Sequence, residues 1–485
     1  MGDPHGFLTK HRRVPAHRPV ASRVRDWQEL YEPFSRKEAA TQASRCMSCG
    51  IPYCHAACPL ANLISDWNDL AFKGHWRDAS ERLHATNNFP ELTGRLCPAP
   101  CEAACVLNIN DEPVTNAVVE KQVAEVAWSE GWVVPKPPSS LTGKKVAVVG
   151  SGPAGLAAAQ QLARAGHGVT VFERAGRAGG LLRYGIPDFK LEKWVLERRL
   201  AQLRAEGVSF RCGVEVGVDI LAGELFGDPG RMDALVLAGG ATVPRDLAAP
   251  GRELAGVHQA MTYLSLANRV QEGDAVLTDE LTAAGKGVVV VGGGDTGADC
   301  VGTAVRQGAR SVQQLEIMPP PPAEHDPALP WLGWPQALRT AAAHNEGVER
   351  TWSVSTQRFL DDGRGRLTGL EVADVTMTLV DGRPTFSLIE GTERVLAADL
   401  ALLALGFSGP ERSPMLSQLG VPLDARGNVA RDEQWATPVP GVFACGDMAR
   451  GQSLVAWAIS EGRSIAASVD RWLMGETLLP SPLGR

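Results

Sequence analysis

Seven of the ten cysteines lie close together in the sequence, between Cys46 and Cys105. They form two groups with short spacings, C-x2-C-x4-C-x3-C-P and C-x3-C-x3-C. Thiolates at such spacings are typical ligands of iron–sulfur clusters, and seven of them exceed the needs of one tetrahedral zinc ion. The pattern therefore predicts iron–sulfur clusters, with a zinc site or unligated core cysteines as the alternatives. The predicted metal ligands are Cys46, Cys49, Cys54, Cys58, Cys97, Cys101 and Cys105.

A glycine-rich loop follows the short apolar run KVAVVG, with glycines at Gly150, Gly152 and Gly155. Such glycines permit a tight turn, the close approach of a pyrophosphate and the packing of a helix on a strand. Glu173 ends the next strand, 23 residues after Gly150, where a carboxylate accepts hydrogen bonds from ribose hydroxyls. The pattern predicts a dinucleotide site, and a turn that merely uses glycines is the alternative. Its neighbouring contacts are predicted to be Pro153, Ala154 and Arg174.

The same order of strand, glycine loop, helix and strand recurs from residue 285, and this is the one internal repeat that we find. By the same reasoning it predicts a second dinucleotide site, with a degenerate repeat that has lost its ligand as the alternative. The predicted contacts are Gly292, Gly294, Asp295, Thr296 and Gly297.

The strand after the second loop ends at Glu316, 24 residues after Gly292. A carboxylate at this point favours a free ribose 2′-hydroxyl and repels a 2′-phosphate. If the second loop binds a nicotinamide nucleotide, the sequence therefore favours NADH over NADPH, although Arg306 and Arg310 lie nearby in sequence and could compensate.

Two later segments decide between the dinucleotides. The runs AGGATVPRDLAAPG and ATPVPGVFACGDM give residues 145–470 a resemblance to the flavoprotein family that includes glutathione and thioredoxin reductases. The resemblance implies FAD at the first loop and a nicotinamide nucleotide at the second. It also places Gly446 and Asp447 near the ribityl–phosphate region, with a simple turn aspartate as the alternative. AGGLLRYGIP, including Gly180 and Leu181, would pass the isoalloxazine, with Gly179 and Gly180 leaving room for the ring.

Composition separates three regions, for which we predict an α/β fold of two Rossmann-type domains preceded by a helical domain. The predicted domains are a helical iron–sulfur domain (1–135), a discontinuous FAD domain (136–260 and 400–485) and an NAD(P)H domain (261–399). The net charge of -7 argues against a nucleic-acid or membrane-surface partner. No signal peptide or membrane-spanning run is found, and clustered cysteines without an export signal are typical of a reducing compartment, so we expect a cytoplasmic protein.

The cysteine segments also carry the closest resemblance. RCMSCGIPYCHAACPLANLISDWN and GRLCPAPCEAACVLNIN resemble the small, or beta, subunit of glutamate synthase over essentially the full chain, and the N-terminal part of dihydropyrimidine dehydrogenase is similar. The resemblance implies two [4Fe-4S] clusters. One would be held by Cys46, Cys49, Cys54 and Cys105, and the other by Cys58, Cys97 and Cys101, which leaves it one cysteine short.

The missing ligand is also predicted through the resemblance. In dihydropyrimidine dehydrogenase the corresponding ligand is a glutamine a short distance after the last cysteine. Matching the Glu-Pro-Val segment places Glu120 at that position, 15 residues after Cys105. The alternatives are a solvent-facing helix glutamate, paired with Lys121 or an arginine, and Gln122 as the donor.

The resemblance implies the reaction as well. NAD(P)H would reduce FAD, and the clusters would conduct electrons to a large (alpha) subunit that carries FMN and a further iron–sulfur cluster and forms L-glutamate from L-glutamine and 2-oxoglutarate. A redox CxxC motif is absent beside both glycine loops, so electrons need this other exit. The chain has neither an N-terminal cysteine for a glutaminase nor length for an FMN barrel of ~250 residues, so we expect it to make no glutamate alone and to reduce no dihydropyrimidine. The alternatives are a ferredoxin-type partner for the same module and a non-catalytic zinc scaffold on a flavin fold.

Overall fold

The fold is that of a computed structural model, which describes residues 3–226, 231–322, 340–412 and 414–483. The N-terminal part is helical. Its elements are α1 (Gly6–Thr9), α2 (Val20–Arg23), α3 (Arg36–Ala43), α4 (Tyr53–Ala57), α5 (Ile64–Phe72), α6 (Trp76–Thr86), α7 (Pro90–Leu96), α8 (Pro100–Ala103), a 3-10 turn (Val106–Ile109) and α9 (Asn116–Ser129).

Local sequence explains where some of these helices begin. Ser35 and Glu38 cap each other's backbone N–H groups reciprocally, which starts α3. The helical periodicity over residues 61–70 and 76–84 corresponds to α5 and α6. Ala61, three residues before the first residue of α5, has a left-handed backbone, with φ of +51°.

The remaining elements alternate between strands and helices. They are β1 (Lys145–Val149), α10 (Pro153–Arg164), β2 (Gly168–Glu173), α11 (Leu181–Tyr184), α12 (Lys193–Ala205), β3 (Ser209–Cys212), α13 (Ala222–Leu225), β4 (Ala234–Leu237), β5 (Val243–Pro244), β6 (Val257–Gln259), α14 (Ala260–Gln271), β7 (Gly287–Val291), α15 (Asp295–Arg306), β8 (Ser311–Glu316), a 3-10 turn (Ala342–Asn345), β9 (Glu349–Trp352), β10 (Val354–Asp361), β11 (Leu367–Val380), β12 (Arg383–Leu388), β13 (Arg394–Ala397), β14 (Leu400–Leu403), β15 (Phe407–Gly409), α16 (Met415–Leu419), β16 (Val442–Ala444), α17 (Asp447–Arg450) and α18 (Val455–Met474).

A parallel sheet in the order β16–β4–β1–β2–β3 carries the first glycine loop. We call it, with its helices, the flavin unit. Its helices α10 and α18 pack closely, since a Cβ on Gly462 would lie 2.3 Å from the carbonyl oxygen of Ala154. Because β16 comes from the last part of the chain, two segments distant in sequence assemble this sheet.

A second parallel sheet, in the order β6–β14–β7–β8–β9, carries the second glycine loop and α15. We call it the nucleotide unit. Strands β10 to β13 form an antiparallel sheet that shares an apolar core with it. Strands β5 and β15 pair with each other where the chain passes between the two units. The predicted α/β fold with two Rossmann-type units and a preceding helical part is confirmed.

The exact domain boundaries stay a prediction. Strands β6 and β14, next to the predicted boundaries at residues 260 and 400, both belong to the second sheet. The proline-rich run PPPPAEHDPALPWLGWP, residues 319–335, which is typical of a surface loop, falls mostly outside the described residues. Among the helices of the described ranges, none is long and apolar enough to cross a membrane.

Candidate functional site

The first glycine loop joins β1 to α10, and its three glycines meet different surroundings. Gly150 has φ of +102°, and a Cβ there would lie 2.3 Å from the carbonyl oxygen of Ala238. A Cβ on Gly155 would lie 2.0 Å from the carbonyl oxygen of Gly150, so the helix packs directly on the loop. Nothing lies within 4 Å of the Cβ position of Gly152. The loop therefore leaves open space at the N-terminus of α10, where a pyrophosphate would bind, next to Pro153 and Ala154.

Glu173 lies at the edge of this loop. Its carboxylate accepts hydrogen bonds from the backbone N–H of Ser151 (3.1 Å) and from that of Ala175 (2.8 Å). The Ser151 hydroxyl also donates to it and in turn accepts from the backbone N–H of Gly179 (2.8 Å). Arg174 instead pairs with Glu411 at 3.0 Å on the surface. The residues fit the adenosine end of a dinucleotide, with Glu173 positioned by the loop itself.

Gly179 and Gly180 both have positive φ angles, of +134° and +53°. A Cβ on Gly180 would lie 2.9 Å from the Cα of Gly152, and one on Gly179 would lie 2.6 Å from the side chain of Leu196. Protein atoms fill both Cβ positions, so these positions leave no open space, and the expected passage of the flavin ring beside the glycines stays a prediction. The two glycines let the chain press against the first loop, and Leu181 follows partly exposed at the start of α11.

The Gly446–Asp447 turn contacts the same helix start. A Cβ on Gly446 would lie 2.9 Å from the Cβ of Ala154. The backbone N–H of Gly446 donates to Glu461 (2.8 Å), whose fully buried carboxylate also accepts from Arg431 and Arg450. Burial raises the pKa of Asp447 to about 6. The turn thus lies beside the open end of α10, and its place near the ribityl–phosphate region of FAD stays a prediction.

The second loop repeats the first. Gly292 has φ of +122°, and a Cβ there would lie 2.3 Å from the carbonyl oxygen of Ala404. A Cβ on Gly297 would lie 2.3 Å from the carbonyl oxygen of Gly292, while the surroundings of Gly294 are open to 4 Å. A tight turn, open space for a phosphate and close packing of the helix on the loop therefore recur at the start of α15. The first two residues of this helix are Asp295 and Thr296.

Glu316 occupies the position of Glu173 in this second unit. Its carboxylate accepts from the backbone N–H groups of Gly293 (2.6 Å) and Met318 (2.9 Å). The two arginines that could have compensated for its charge are engaged elsewhere, since Arg306 pairs with Glu346 (2.7 Å) and Arg310 with Asp399 (2.8 Å). The loop therefore presents an acidic side chain at the strand end.

The thiols line two separate cavities. The outer cavity, of about 400 Å³, is lined by Pro52 and Leu107, which are close in sequence to the exposed residues Ile51 and Ile109. Arg45 also forms part of its wall. The thiols in its wall are Cys46, Cys49, Cys54 and Cys105.

The inner cavity, of about 370 Å³, is bounded on one side by Ala456 of α18, so it borders the flavin unit. Three thiols and one carboxylate share its wall, namely Cys58, Cys97, Cys101 and Glu120. The two sets of side chains are those that the resemblance assigned to the two clusters. A soft thiolate set in each cavity fits an iron–sulfur cluster.

Burial controls the protonation of these thiols. It raises the pKa of Cys54 and Cys97 to about 12, and that of Cys46 and Cys58 to about 11. Such thiols stay protonated near neutral pH unless a bound metal replaces the proton.

Glu120 is 8% exposed, so the alternative of a solvent-facing glutamate is wrong. One carboxylate oxygen accepts hydrogen bonds from Asn87 (2.9 Å) and Thr93 (2.8 Å). Burial raises the pKa of Glu120 to about 7. Lys121 pairs with Glu29 rather than with Glu120, and Gln122 does not line the inner cavity.

The other cysteines lie apart from both cavities. Cys300 and Cys445 are fully buried in apolar cores, and Cys212 is half-buried at the edge of one. Among the described residues, no three His, Cys, Asp or Glu side chains converge closely enough to hold one metal ion.

Comparison with known proteins gives matches over the whole chain. The glutamate synthase [NADPH] small chain of Mycobacterium tuberculosis (strain H37Rv) is 59% identical, covering 100% of this chain and 98% of the relative. That of Bacillus subtilis is 45% identical, covering 99% and 100%. The chain belongs to the glutamate synthase small-chain family. The glutamate synthase [NADH] of Schizosaccharomyces pombe is also 45% identical over 99% of this chain, which spans only 23% of that protein.

Two regions of this small-chain family member match two different protein-family models. The family described as pyridine nucleotide-disulphide oxidoreductase matches residues 144–462, and dihydropyrimidine dehydrogenase domain II, 4Fe-4S cluster, matches residues 23–132. Among solved structures, Mycobacterium tuberculosis FprA in complex with NADPH superimposes with a TM-score of 0.54 at 18% identity, over 70% of this chain and 88% of that one. At this identity the likeness shows a shared fold.

Sequence reasoning missed several side chains that position the sites. Ser151 and Glu461 hold the first loop and the Gly446–Asp447 turn. Arg45 was also missed. It lies in the wall of the outer cavity and donates to the backbone carbonyls of three residues distant in sequence. Its position directly before Cys46 was the available signal.

Proposed function

We propose that the chain is the electron-input subunit of a glutamate synthase. It would oxidise NAD(P)H and pass electrons to a large subunit that forms L-glutamate from L-glutamine and 2-oxoglutarate. One observation carries the proposal: a single chain combines two dinucleotide loops with two thiol-lined cavities, of which the inner one borders the flavin unit. The near full-length similarity to proteins named small chains supports it.

The two glycine loops divide the cofactors between them. Gly150, Gly152, Gly155 and Glu173 would hold FAD, and Gly446 and Asp447 would meet its ribityl–phosphate region. Gly292, Gly294, Gly297 and Glu316 would hold the nicotinamide nucleotide. FAD, when bound, takes up a hydride and releases its electrons singly, while the protein supplies binding and orientation.

The thiols would hold two [4Fe-4S] clusters. We assign Cys46, Cys49, Cys54 and Cys105 to the outer cavity, and Cys58, Cys97, Cys101 and Glu120 to the inner one. Helix α18 supports this arrangement, because it packs against α10 at Gly462 and lines the inner cavity at Ala456. One helix therefore connects the proposed FAD site with the proposed inner cluster.

Protein purified without oxygen tests the proposal. We expect about one FAD and two four-iron clusters per chain, and reduction of the flavin by a nicotinamide nucleotide in the absence of any partner. Co-expression with the large subunit, proposed to carry FMN and a further iron–sulfur cluster, should add glutamate formation from glutamine and 2-oxoglutarate. A yellow protein that contains zinc and no iron would refute the proposal and favour the scaffold alternative.

For the partner, a ferredoxin-type acceptor is the second candidate. Equal amounts of ferredoxin and large subunit would be offered to the reduced protein. Faster electron transfer to ferredoxin, with no stable complex with the large subunit, would favour that candidate.

For the nucleotide we propose NADH. Glu316 lies against the second loop, Arg306 and Arg310 are paired with other carboxylates, and the charge of Glu316 would repel a 2′-phosphate. Arg350, on the neighbouring strand β9, lies within electrostatic reach of Glu316 and is a further cation to consider. The bacterial relatives are named for NADPH and the yeast relative for NADH, so names divide between the two.

The ratio of kcat/KM values for NADH and NADPH measures this preference. Glu316→Arg should move the ratio toward NADPH by about 1–3 kcal/mol, the contribution of a hydrogen bond to a charged group. Glu349→Arg, a reversal of an exposed charge on the neighbouring strand β9, is the matched control and should leave the ratio unchanged. A tenfold preference of the unmodified protein for NADPH would overturn the proposal.

We further propose the three domains 1–135, 136–260 with 400–485, and 261–399, and a cytoplasmic location. Limited proteolysis should cut first near the predicted boundaries. Fractionation of cells should recover the protein with the large subunit.

A further inference from the structure

Helix α15, which begins at the second glycine loop, rests with its far half on the flavin unit. The contact point is the buried ring of Phe189, in the chain between α11 and α12. A Cβ on Gly302 of α15 would lie 2.7 Å from the Cζ atom of this ring. The helix therefore approaches the flavin unit as closely as its backbone allows.

Charged groups surround this contact. The Lys190 ammonium lies 2.5 Å from the carboxylate of Asp299, which is buried on α15. The Arg306 guanidinium, in the last turn of α15, stacks 4.0 Å from the centroid of the Phe189 ring. The same guanidinium donates to Glu346 at 2.7 Å. Two turns of α15 are thus joined to one short segment of the flavin unit.

A segment from the other end of the chain completes the contact. We call residues 17–32 the strap. Arg23 of the strap donates to Glu346 (2.7 Å) and to the carbonyl of Ala342 (2.9 Å), and both partners of this ion pair are buried. The backbone N–H of Leu30 donates to the carbonyl of Phe189 (3.1 Å).

The strap also contacts the helices that bear the cysteines. Glu29 pairs with Arg95 (2.5 Å) next to the second cysteine group and with Lys121 (2.8 Å) next to Glu120. The strap therefore contacts all three parts of the molecule. Elsewhere the two units also meet through Arg177 and Asp274 (2.6 Å), near the end of α14.

We propose that the strap holds α15 in one orientation on the flavin unit, with Arg23 and Glu346 as positioning residues for hydride transfer. The proposal rests on the proposed function, since it concerns the nucleotide bound at the start of α15. A rigid helix transmits rotation from its last turn to its first, so loosening the Arg306 end displaces the loop at Gly292. Displacements near 1 Å in the relative position of reacting groups slow a reaction by about 100-fold. Removing one partner of a buried ion pair leaves the other uncompensated, which favours a rearrangement.

The test compares Arg23→Ala and Arg23→Lys with Arg25→Ala, which truncates an exposed arginine of the strap. Each FAD-loaded, cluster-loaded protein is mixed with saturating NADH in a single turnover without partner. We expect Arg23→Ala to slow flavin reduction by about tenfold or more, Arg23→Lys to restore part of the rate, and Arg25→Ala to match the unmodified protein. The dissociation constant for NAD⁺ should stay within about threefold, because the glycine loop itself is intact.

Hydrogen exchange supplies a readout that does not depend on turnover. Exchange over residues 295–306 should rise in Arg23→Ala while FAD and iron contents stay unchanged.

If Arg23→Ala does not fold, Glu346→Gln and Gly302→Ala replace it, since the first neutralises the shared carboxylate and the second pushes the helix from Phe189. Faster exchange with an unchanged rate of flavin reduction would mean a purely structural strap and overturn the proposal, as would a loss of rate matched by an equal loss of NAD⁺ affinity. Failure of NADH and NADPH to reduce the unmodified protein would instead refute the proposed function.

Discussion

The two thiol-lined cavities lie in the same helical part of the chain but face different surroundings. The outer cavity lies beneath loops whose Ile51 and Ile109 side chains are 71% and 56% exposed. The inner cavity lies against α18, where the Ser460 hydroxyl donates to the carbonyl of Pro59, next to Cys58. One cavity thus lies close to exposed loop residues, and the other borders the flavin unit.

The donors differ in the same sense. The outer cavity has four thiols and a buried guanidinium in its wall, whereas the inner cavity replaces the fourth thiol with the carboxylate of Glu120. Net charge and hydrogen bonds to the sulfur atoms set the potential of an iron–sulfur cluster. The positive charge of Arg45 at the outer site would raise the potential of a cluster there and so favour electrons moving outward. The positions of the two cavities and the expected difference in cluster potential therefore both favour electron transfer from the inner cavity to the outer one.

Breaking the outer site should have the largest effect. Cys49→Ser removes one thiol of the outer cavity and should reduce glutamate formation by the reconstituted complex to the background of the assay, because the last step toward the partner is lost. FAD content and flavin reduction by the nucleotide should persist, since the flavin unit is untouched. Cys212→Ser, outside both cavities, is the matched control. Full activity in Cys49→Ser without the signal of the outer cluster would contradict this electron path.

Glu120→Ala tests the inner donor set, with a smaller expected effect. We expect one cluster to convert to a three-iron form or to be lost, because alanine offers no fourth donor, while FAD content stays unchanged. Glu120→Gln keeps an oxygen donor and should keep the cluster, and Gln122→Ala should change nothing. Iron analysis and low-temperature EPR spectra provide the measurement. Two intact four-iron clusters in Glu120→Ala would exclude Glu120 as a ligand.

Local patterns explain what could be predicted from the sequence. Glycine loops impose their geometry within a few residues, so the spacing predicted both β–loop–helix units and the roles of Gly150 and Gly292. The cysteine sets followed from the family resemblance, and the fold brings the same sets together, although ligation itself stays a prediction. Burial of Glu120 depends on Asn87 and Thr93, which no local pattern indicates.

Contacts between distant segments explain what could not be predicted. Arg23 and Glu346 are 323 residues apart, and Arg306 was considered as a partner of the nucleotide until the fold placed it on Glu346. The contact between Gly180 and Gly152 was not foreseen, because Gly152 comes from an earlier loop. Such pairings arise from the arrangement of the units in space. They cannot be predicted from the charges or the spacing of residues along the chain.

The smallest expected effect concerns the charge beside the outer cavity. Arg45 is fully buried and donates to the backbone carbonyls of Lys10 (3.0 Å), Pro113 (2.9 Å) and Glu112 (2.7 Å), so the guanidinium is fixed in place. A positive charge stabilises the reduced, more negative cluster. Arg45→Met should therefore lower the midpoint potential of the outer cluster by roughly 90 mV, which corresponds to about 2 kcal/mol for one unit charge at a partly screened site. Arg45→Lys should cause less than half of this shift.

Asp111 provides a control of opposite sign. Its half-exposed carboxylate lies 3.6 Å from the Arg45 guanidinium, so Asp111→Asn removes a negative charge near the same cavity. It should raise the outer potential by a smaller amount, because solvent screens an exposed charge. Redox titration followed by EPR separates the two clusters, and the inner potential should stay constant in all three variants. Equal shifts of both clusters in Arg45→Met, or a shift as large in Arg45→Lys, would show that the loop has rearranged and that the charge of Arg45 does not distinguish the two cavities.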